Sequence, residues 1–261
     1  MSPMIPPSQI DLTGRTLLIT RPQPEGGETA KTVAACGGRA LLAPALTIEP
    51  PRDPNPLKRV MADLNGYQGI LLTSANGARA FLEHRPIDRP LPPLYAVGPK
   101  TARILQKAGL PVTTPSRPMD GERLARAILD WNGGGGRFLF LRAEKGREEL
   151  ISELEGGGAQ VDLVVGYRAE PIREIPEGVL QALLGGEVDG VAFFSSRSVA
   201  AFVEVLPEAG KEALANTTLA AISAITGKAM TKLGFTPRVV PEKPTAEDLL
   251  QALADYWQSR G

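Results

Sequence analysis

One stretch of this chain occurs twice. Leu72-Thr73-Ser74-Ala75-Asn76-Gly77-Ala78-Arg79-Ala80-Phe81 returns as Phe193-Phe194-Ser195-Ser196-Arg197-Ser198-Val199-Ala200-Ala201-Phe202. Ala96-Val97-Gly98-Pro99-Lys100-Thr101-Ala102, with Lys107-Ala108-Gly109 behind it, returns as Ala221-Ile222-Ser223-Ala224-Ile225-Thr226-Gly227, with Lys232-Leu233-Gly234 behind it. Gly121-Glu122-Arg123-Leu124-Ala125 returns as Ala246-Glu247-Asp248-Leu249-Leu250. Three units in one order at nearly one offset describe two similar half-proteins. A fourth pair breaks the order. Gly14-Arg15-Thr16-Leu17-Leu18-Ile19 opens the chain, whereas its counterpart Gly136-Arg137-Phe138-Leu139-Phe140-Leu141 closes the middle half. The simplest topology joins the N-terminal unit to the C-terminal half and inserts the middle half between them. The predicted domains are 14–45 plus 172–261, and 50–164. The chain crosses between them at 43–50 and 164–173, and residues 1–13 form a Pro-rich mobile tail.

Between the repeats, short apolar runs alternate with helical periodicity. That pattern specifies α/β architecture with parallel sheets covered by helices on both faces. Strands are expected at 15–20, 69–73, 94–97, 138–141, 190–194 and 219–222, with short ones at 112–113 and 238–240. A single extended run is expected over 40–48 and another over 161–168. Helices are expected after each main strand, and Pro50–Pro56 reads as a loop. The two crossings, paired as extended chain, make a two-stranded antiparallel ladder. The expected fold is therefore two similar parallel-sheet α/β domains joined by that ladder, the middle domain inserted into the other, with a cleft where the two halves face each other.

Charge narrows the function classes. Lys and Arg number 29, as do Asp and Glu, so the basic excess of a nucleic-acid binder is missing. The chain has one cysteine, Cys36, so no internal disulfide can form, and its apolar helix end marks it as buried filler. The first residues lack the basic start and apolar run of a signal peptide, and no apolar stretch approaches the ~20 residues of a membrane span. A cytoplasmic protein without membrane or nucleic-acid partners is expected, and a monomer.

In open α/β sheets, ligands bind beyond the carboxyl ends of the strands. Those ends carry Thr20-Arg21, Thr73-Ser74-Ala75-Asn76, Gly98-Pro99-Lys100-Thr101, Leu141-Arg142-Ala143-Glu144-Lys145, Ser195-Ser196-Arg197-Ser198 and Ser223-Ala224-Ile225-Thr226. Each precedes a helix, whose free N–H groups and dipole hold anions without a formal charge. Any one of Ser74, Ser195, Ser196 or Thr226 is equally an ordinary N-cap. Four such turns placed by pseudo-symmetry around one cleft read as a ligand site. Arg21, Arg142 and Lys145 are either solvated surface charges or partners for carboxylate or phosphate. Tyr167, in Val164-Val165-Gly166-Tyr167-Arg168, is either a packing residue of the ladder or a hydrogen-bond donor to a leaving oxygen.

Several signatures are missing. His84 is the only histidine and reads as surface, and with one His and one Cys far apart in sequence and no clustered ligands a zinc site is not expected. There is no Gly-x-Ser-x-Gly elbow, no complete phosphate loop around Gly227-Lys228, and no dinucleotide fingerprint after a strand. Gly133-Gly134-Gly135-Gly136 is a turn. An enzyme built this way works by positioning and polarising.

Taken together, Leu18-Ile19-Thr20-Arg21-Pro22, Thr73-Ser74-Ala75-Asn76-Gly77, Val97-Gly98-Pro99-Lys100-Thr101-Ala102, Gly166-Tyr167-Arg168, Phe193-Phe194-Ser195-Ser196 and Pro244-Thr245-Ala246-Glu247 resemble uroporphyrinogen-III synthase. The resemblance runs from about Arg15 to Tyr256. It implies a cofactor-free, metal-free lyase of porphyrin, tetrapyrrole and heme biosynthesis. Its substrate is the linear hydroxymethylbilane, which carries an acetate and a propionate on every ring. The terminal hydroxyl leaves as water, and the macrocycle closes with ring D inverted through an azafulvene cation and a spiro-pyrrolenine. The substrate cyclises unaided to the uninverted isomer, so the enzyme mainly fixes its shape. By motif, Tyr167 matches the family's candidate for assisting hydroxyl departure. Thr101 and Thr226 match its paired helix-start threonines, and Ser74 and Ser195 its strand-end serines. With Arg21, Gly98, Arg142, Lys145 and Ser196 from the strand ends, these form the expected substrate-binding set. One departure stands out. Ser223-Ala224 replaces the Gly-Pro common in the family, and a Cβ at 223 is expected to shift the backbone donors there. The competing readings are a non-catalytic relative that senses or carries a tetrapyrrole, and a two-domain binder of another small anion.

Overall fold

The computed structural model describes residues 10–115, 121–146 and 149–260. The chain divides into two units, one formed by residues up to Thr47 together with those from Glu170 onward, the other by Ile48–Ala169.

The first unit begins with β1 (Thr16–Ile19), α1 (Glu25–Ala35) and β2 (Arg39–Leu42), and β3 (Leu46–Glu49) then leads into the inserted unit. That unit runs α2 (Asn55–Ala62), β4 (Gly69–Leu72), α3 (Ala75–His84), β5 (Leu94–Ala96), α4 (Pro99–Lys107), α5 (Gly121–Asn132), β6 (Arg137–Ala143) and α6 (Glu149–Gly156). Strand β7 (Gln160–Pro171) returns the chain to the first unit. There follow α7 (Glu177–Leu184), β8 (Gly190–Phe193), α8 (Ser196–Val205), α9 (Glu208–Ala215), β9 (Thr218–Ala221), α10 (Ala224–Lys232) and α11 (Ala246–Gln258).

The sheets carry the repeat. One has the order β2-β1-β8-β9 and the other β3-β7-β6-β4-β5. With β3 set aside, each strand of the first meets its repeat partner at the same place in the second. The paired strands β1/β2, β1/β8, β8/β9, β4/β5, β4/β6 and β6/β7 are parallel. Even the outlying bridges match, Ala220 with Val239 and Tyr95 with Thr113. Beside β7, strand β3 runs the other way. Ile172 N–H donates to the Ala45 carbonyl (3.2 Å), the Thr47 hydroxyl to the Glu170 carbonyl (3.4 Å), and Arg168 Nε to the Pro50 carbonyl (2.9 Å). One number rises as the other falls, which is the antiparallel ladder.

Period-two alternation explains why the strands are apolar throughout. In β4 and β6, Ile70, Leu72, Leu139 and Leu141 enter one core, while Leu71, Phe138 and Phe140 enter the core on the opposite face. In β1 and β8, Leu18, Val191 and Phe193 face one way, and Leu17, Ile19 and Ala192 the other. Repeat partners Phe81 and Phe202 are both fully buried, each on the inner face of a serine-capped helix. Burying a phenylalanine contributes about 1.5–3 kcal/mol.

Four sequence expectations change. Residues 10–13 are not a mobile tail. Ile10 and Leu12 are buried at 4% and 0% exposure, and Leu12 N–H donates to the Cys36 carbonyl (2.8 Å), while residues 1–9 lie outside the described residues. The run over 40–48 is broken between β2 and β3, where Ala43-Pro44-Ala45 turns through buried alanines. Val112-Thr113 and Arg238–Val240 provide single bridges, not strands. Helices α2 and α9 occupy stretches read as loop or left unassigned. Each follows a proline, Pro54 or Pro207, at its N-cap without a side-chain capping bond. Cys36 is buried as expected, and burial pushes its thiol up. His84 is half-buried, with Nδ1 2.9 Å from the Ala80 carbonyl oxygen.

Candidate active site

The residues that gather around one cavity all belong to the inserted unit. A pocket of about 460 Å³ is lined by Thr73, Ser74, Arg142, Lys145 and Tyr167, with Glu122 and Glu149 among its other walls.

Ser74 lies two residues beyond β4 and caps α3. Its backbone is extended, and its Oγ accepts the Gly77 N–H at 3.0 Å. A serine there satisfies one of the four N–H groups a helix start leaves open. The same Oγ lies 3.0 Å from the Tyr167 hydroxyl.

Tyr167 reaches Ser74 because β7 slips against β6. Leu141 pairs with Val164 and Arg142 with Val165, but Ala143 pairs with Tyr167, so Gly166 is an extra residue. Val164 belongs to the core beneath α3, together with Ala78, Ala80 and Phe81. Strict alternation from Val164 would send Tyr167 to the opposite face, and the inserted residue turns it back toward the α3 cap. Only glycine fits at the slip. A Cβ on Gly166 would come within 2.9 Å of Leu141 Cγ and 3.3 Å of Ala80 Cβ. The Glu144 N–H closes the bulge by donating to the Tyr167 carbonyl (3.0 Å).

Arg142 follows Phe140 along β6 and is only 8% exposed, a buried cation in the pocket wall. Lys145, Glu122 and Glu149 are exposed. A buried guanidinium is screened far less than charges in solvent. The pocket therefore offers one strongly felt positive group and a half-buried phenol, with carboxylates of the α5 and α6 starts at its rim. Glu122 and Glu149 were not in the expected set. Glu122 lies in the Gly121-Glu122-Arg123 repeat, which was the available signal, but it stands at a helix start and not at a strand end.

The other expected residues lie elsewhere. Gly98 caps α4 and Thr101, at the third helical position, is 3% exposed, and neither lines this pocket. In the first unit, Ser195 caps α8 by accepting the Ser198 N–H (3.0 Å), and Ser196 donates to the Ile225 carbonyl (3.3 Å). Arg21 lies over the Phe194 ring (4.5 Å) and bonds the Thr29 hydroxyl (3.3 Å). Thr226 is 3% exposed, and its N–H donates to Ser223 Oγ (3.4 Å).

Ser223 does not disturb its turn. It caps α10 in extended conformation, as Gly98 caps α4, and a Cβ on Gly98 would meet nothing within 4 Å. At 223 the hydroxyl adds a cap that glycine lacks, accepting the Thr226 N–H. Among the described residues, no group of three or more His, Cys, Asp or Glu is placed to hold a metal, and no helix is long and apolar enough to cross a membrane.

Comparison with known proteins gives one consistent result. The family model described as uroporphyrinogen-III synthase HemD matches residues 27–251. A uroporphyrinogen-III synthase of Chlorobaculum parvum is 27% identical over 251 residues, covering 92% of this chain and 98% of that one. One from Synechococcus elongatus is 28% identical over 204 residues, covering 75% and 76%. Among solved structures, a mutant uroporphyrinogen III synthase of Thermus thermophilus aligns with a TM-score of 0.61 at 26% identity, covering 94% of this chain and 99% of that one.

Proposed function

The chain belongs to the uroporphyrinogen-III synthase family, and on that premise we propose that it closes hydroxymethylbilane to uroporphyrinogen III, inverting ring D and losing water. This is lyase chemistry. The C–O bond of the terminal hydroxymethyl group breaks, and the pyrrole nitrogen's electron pair moves in to form the azafulvene cation. The leaving oxygen takes a proton and departs as water. Ring D then attacks through its substituted carbon, giving the spiro-pyrrolenine. The bond from that carbon to the ring-C methylene breaks, leaving a second azafulvene cation there. The free α-carbon of ring D closes onto that methylene and releases its proton as the inverted macrocycle forms. The sum is a dehydration with no net redox change, so its balance calls for no oxidant or reductant.

Tyr167 is the proton donor to the leaving oxygen in this reading, and the proton released on ring closure restores the phenol. Arg142 pairs with one carboxylate arm of the substrate. The exposed Glu122 and Glu149 at the rim oppose a second carboxylate there, which favours a single orientation of the bound ring. Ser195, Ser196, Thr226, Arg21, Gly98 and Thr101 remain the proposed contacts for the rest of the polyanion, through helix starts and local cations.

The observation that carries this reading is the convergence of Tyr167 and buried Arg142 on one cavity of about 460 Å³. The test is turnover of freshly made hydroxymethylbilane with the product isomers resolved. Type III product above the spontaneous type I background is expected. Type I alone from folded protein would overturn the proposal in favour of a non-catalytic tetrapyrrole binder.

A further inference from the structure

The two repeats treat the same serine differently. Ser74 and Ser195 are partners in the repeat, and each accepts a backbone N–H three residues on, at 3.0 Å. Their second hydrogen bonds diverge. Ser195 Oγ lies 2.7 Å from Ser198 Oγ, within its own helix start. At the position matching Ser198, the other repeat has Gly77, and Ser74 Oγ instead meets the Tyr167 hydroxyl at 3.0 Å. Nor does Ser195 have a tyrosine to meet. Ile19 pairs with Leu42 as Leu141 pairs with Val164, and three residues further on the matching positions are Ala45 and Tyr167.

We infer that Ser74 is a positioning residue that fixes the Tyr167 hydroxyl in the pocket, and that glycine at position 77 keeps the Ser74 oxygen available for it. The inference rests on the reading of Tyr167 as proton donor. A serine hydroxyl has one proton and two lone pairs. The Gly77 N–H takes one lone pair, and the remaining proton and lone pair serve one good partner. A phenol hydroxyl swings about its C–O bond. A partner anchored to a helix start selects one orientation of that swing, and placement of a proton donor governs transfer in the transition state. A hydroxyl at position 77 would compete with the phenol, since in the other repeat the hydroxyl at the matching position, Ser198, does bond the capping serine. The first unit thus serves as a built-in picture of the disconnected state.

Gly77→Ser tests this, with Gly77→Ala as its control. A Cβ at 77 would lie 3.2 Å from both the Leu141 carbonyl oxygen and Ser74 Oγ, so both variants carry the same slight crowding and differ only in the hydroxyl. The serine variant is expected to form type III product with kcat about fivefold to tenfold below the alanine variant, the scale of one neutral hydrogen bond. KM and melting temperature should match between the two, a split that a general loss of structure would not give. On a Ser74→Ala background the serine and alanine variants should become equal, because no capping hydroxyl remains to be captured. Equal kcat with Ser74 present, or the same difference persisting without it, overturns the inference. Tyr167→Phe measured alongside separates the two levels. Undiminished turnover in that variant defeats the proton-donor reading itself. Slow turnover there, with the Gly77 variants equal, defeats the positioning role alone.

Discussion

Arg142 and Gly146 share one space, for a β-carbon on Gly146 would come within 2.7 Å of the Arg142 Nη1. The guanidinium lies where it does because residue 146 has no side chain. Gly146→Ala should displace it, and since Nη1 is the far end of a flexible chain the fold should survive. Steady-state kinetics with hydroxymethylbilane should show KM raised by about fivefold with a smaller change in kcat, the pattern of a lost binding contact. Arg142→Lys keeps the charge but not the planar fork, and should raise KM in the same direction.

Tyr167→Phe removes one hydroxyl and leaves the α3 cap intact, because Ser74 still accepts the Gly77 N–H. Turnover to type III product should fall by about 10²-fold, within the usual range for a positioned general acid. Thermal melting should move little. Isomer-resolved product analysis checks the first point and differential scanning calorimetry the second.

The two-domain α/β fold was legible because repeated turns bracket repeated strands, and the out-of-order pair Gly14–Ile19 and Gly136–Leu141 revealed the insertion. The cavity was only half legible. Ser74, Arg142 and Lys145 sit at or near strand ends, where ligand sites lie in such sheets, and Tyr167 stood out in the second crossing. Glu122 and Glu149 come from helix starts that only tertiary packing brings together. The direction of Tyr167 was hidden for another reason. Alternation gives the wrong face, and the slip at Gly166 depends on Leu141 and Ala80, neither of which is its sequence neighbour. Helices α2 and α9 escaped because Pro54 and Pro207 read as loop punctuation, although proline is tolerated at a helix start. At the N-terminus, the prolines drew attention away from Ile10 and Leu12.

Ser223 should behave as a cap and nothing more. Ser223→Ala should cost about 1 kcal/mol of stability and Ser223→Gly only a few tenths, since glycine is itself accepted at the N-cap. Urea unfolding of the two variants ranks them. A glycine variant as unstable as the alanine variant would contradict the capping role.

Alkaline stability should report on Tyr67. Its hydroxyl donates to Asp162 Oδ2 (2.6 Å), and Arg137 bonds the same oxygen and lies over the ring (4.8 Å). Burial first, then the Asp162 carboxylate, pushes the phenol up to about 12. Below the ordinary tyrosine value of about 10 both folded and unfolded chains keep the proton, so the contribution is fully present. As pH rises toward about 12 the unfolded chain ionises first, and stability falls. Urea melts at about pH 9 and about pH 11 should show this loss, and Tyr67→Phe should make it shallower.

Leu12→Ala should destabilise the first unit by about 2–5 kcal/mol, because the side chain is fully buried and leaves a cavity. Trp257 provides the readout. It is buried in the same core, with Nε1–H donating to the Thr218 hydroxyl (3.1 Å).

The insertion sets an order of events on the ribosome. Strand β1 needs β8 as well as β2, and β8 emerges only after the whole of Ile48–Ala169. The continuous unit can therefore complete its sheet while Leu17, Leu18 and Ile19 still wait for a partner. Nascent chains halted between the two stages would carry a finished Tyr167 pocket and an unfinished hydrophobic strand, the form most exposed to aggregation and most in need of a chaperone.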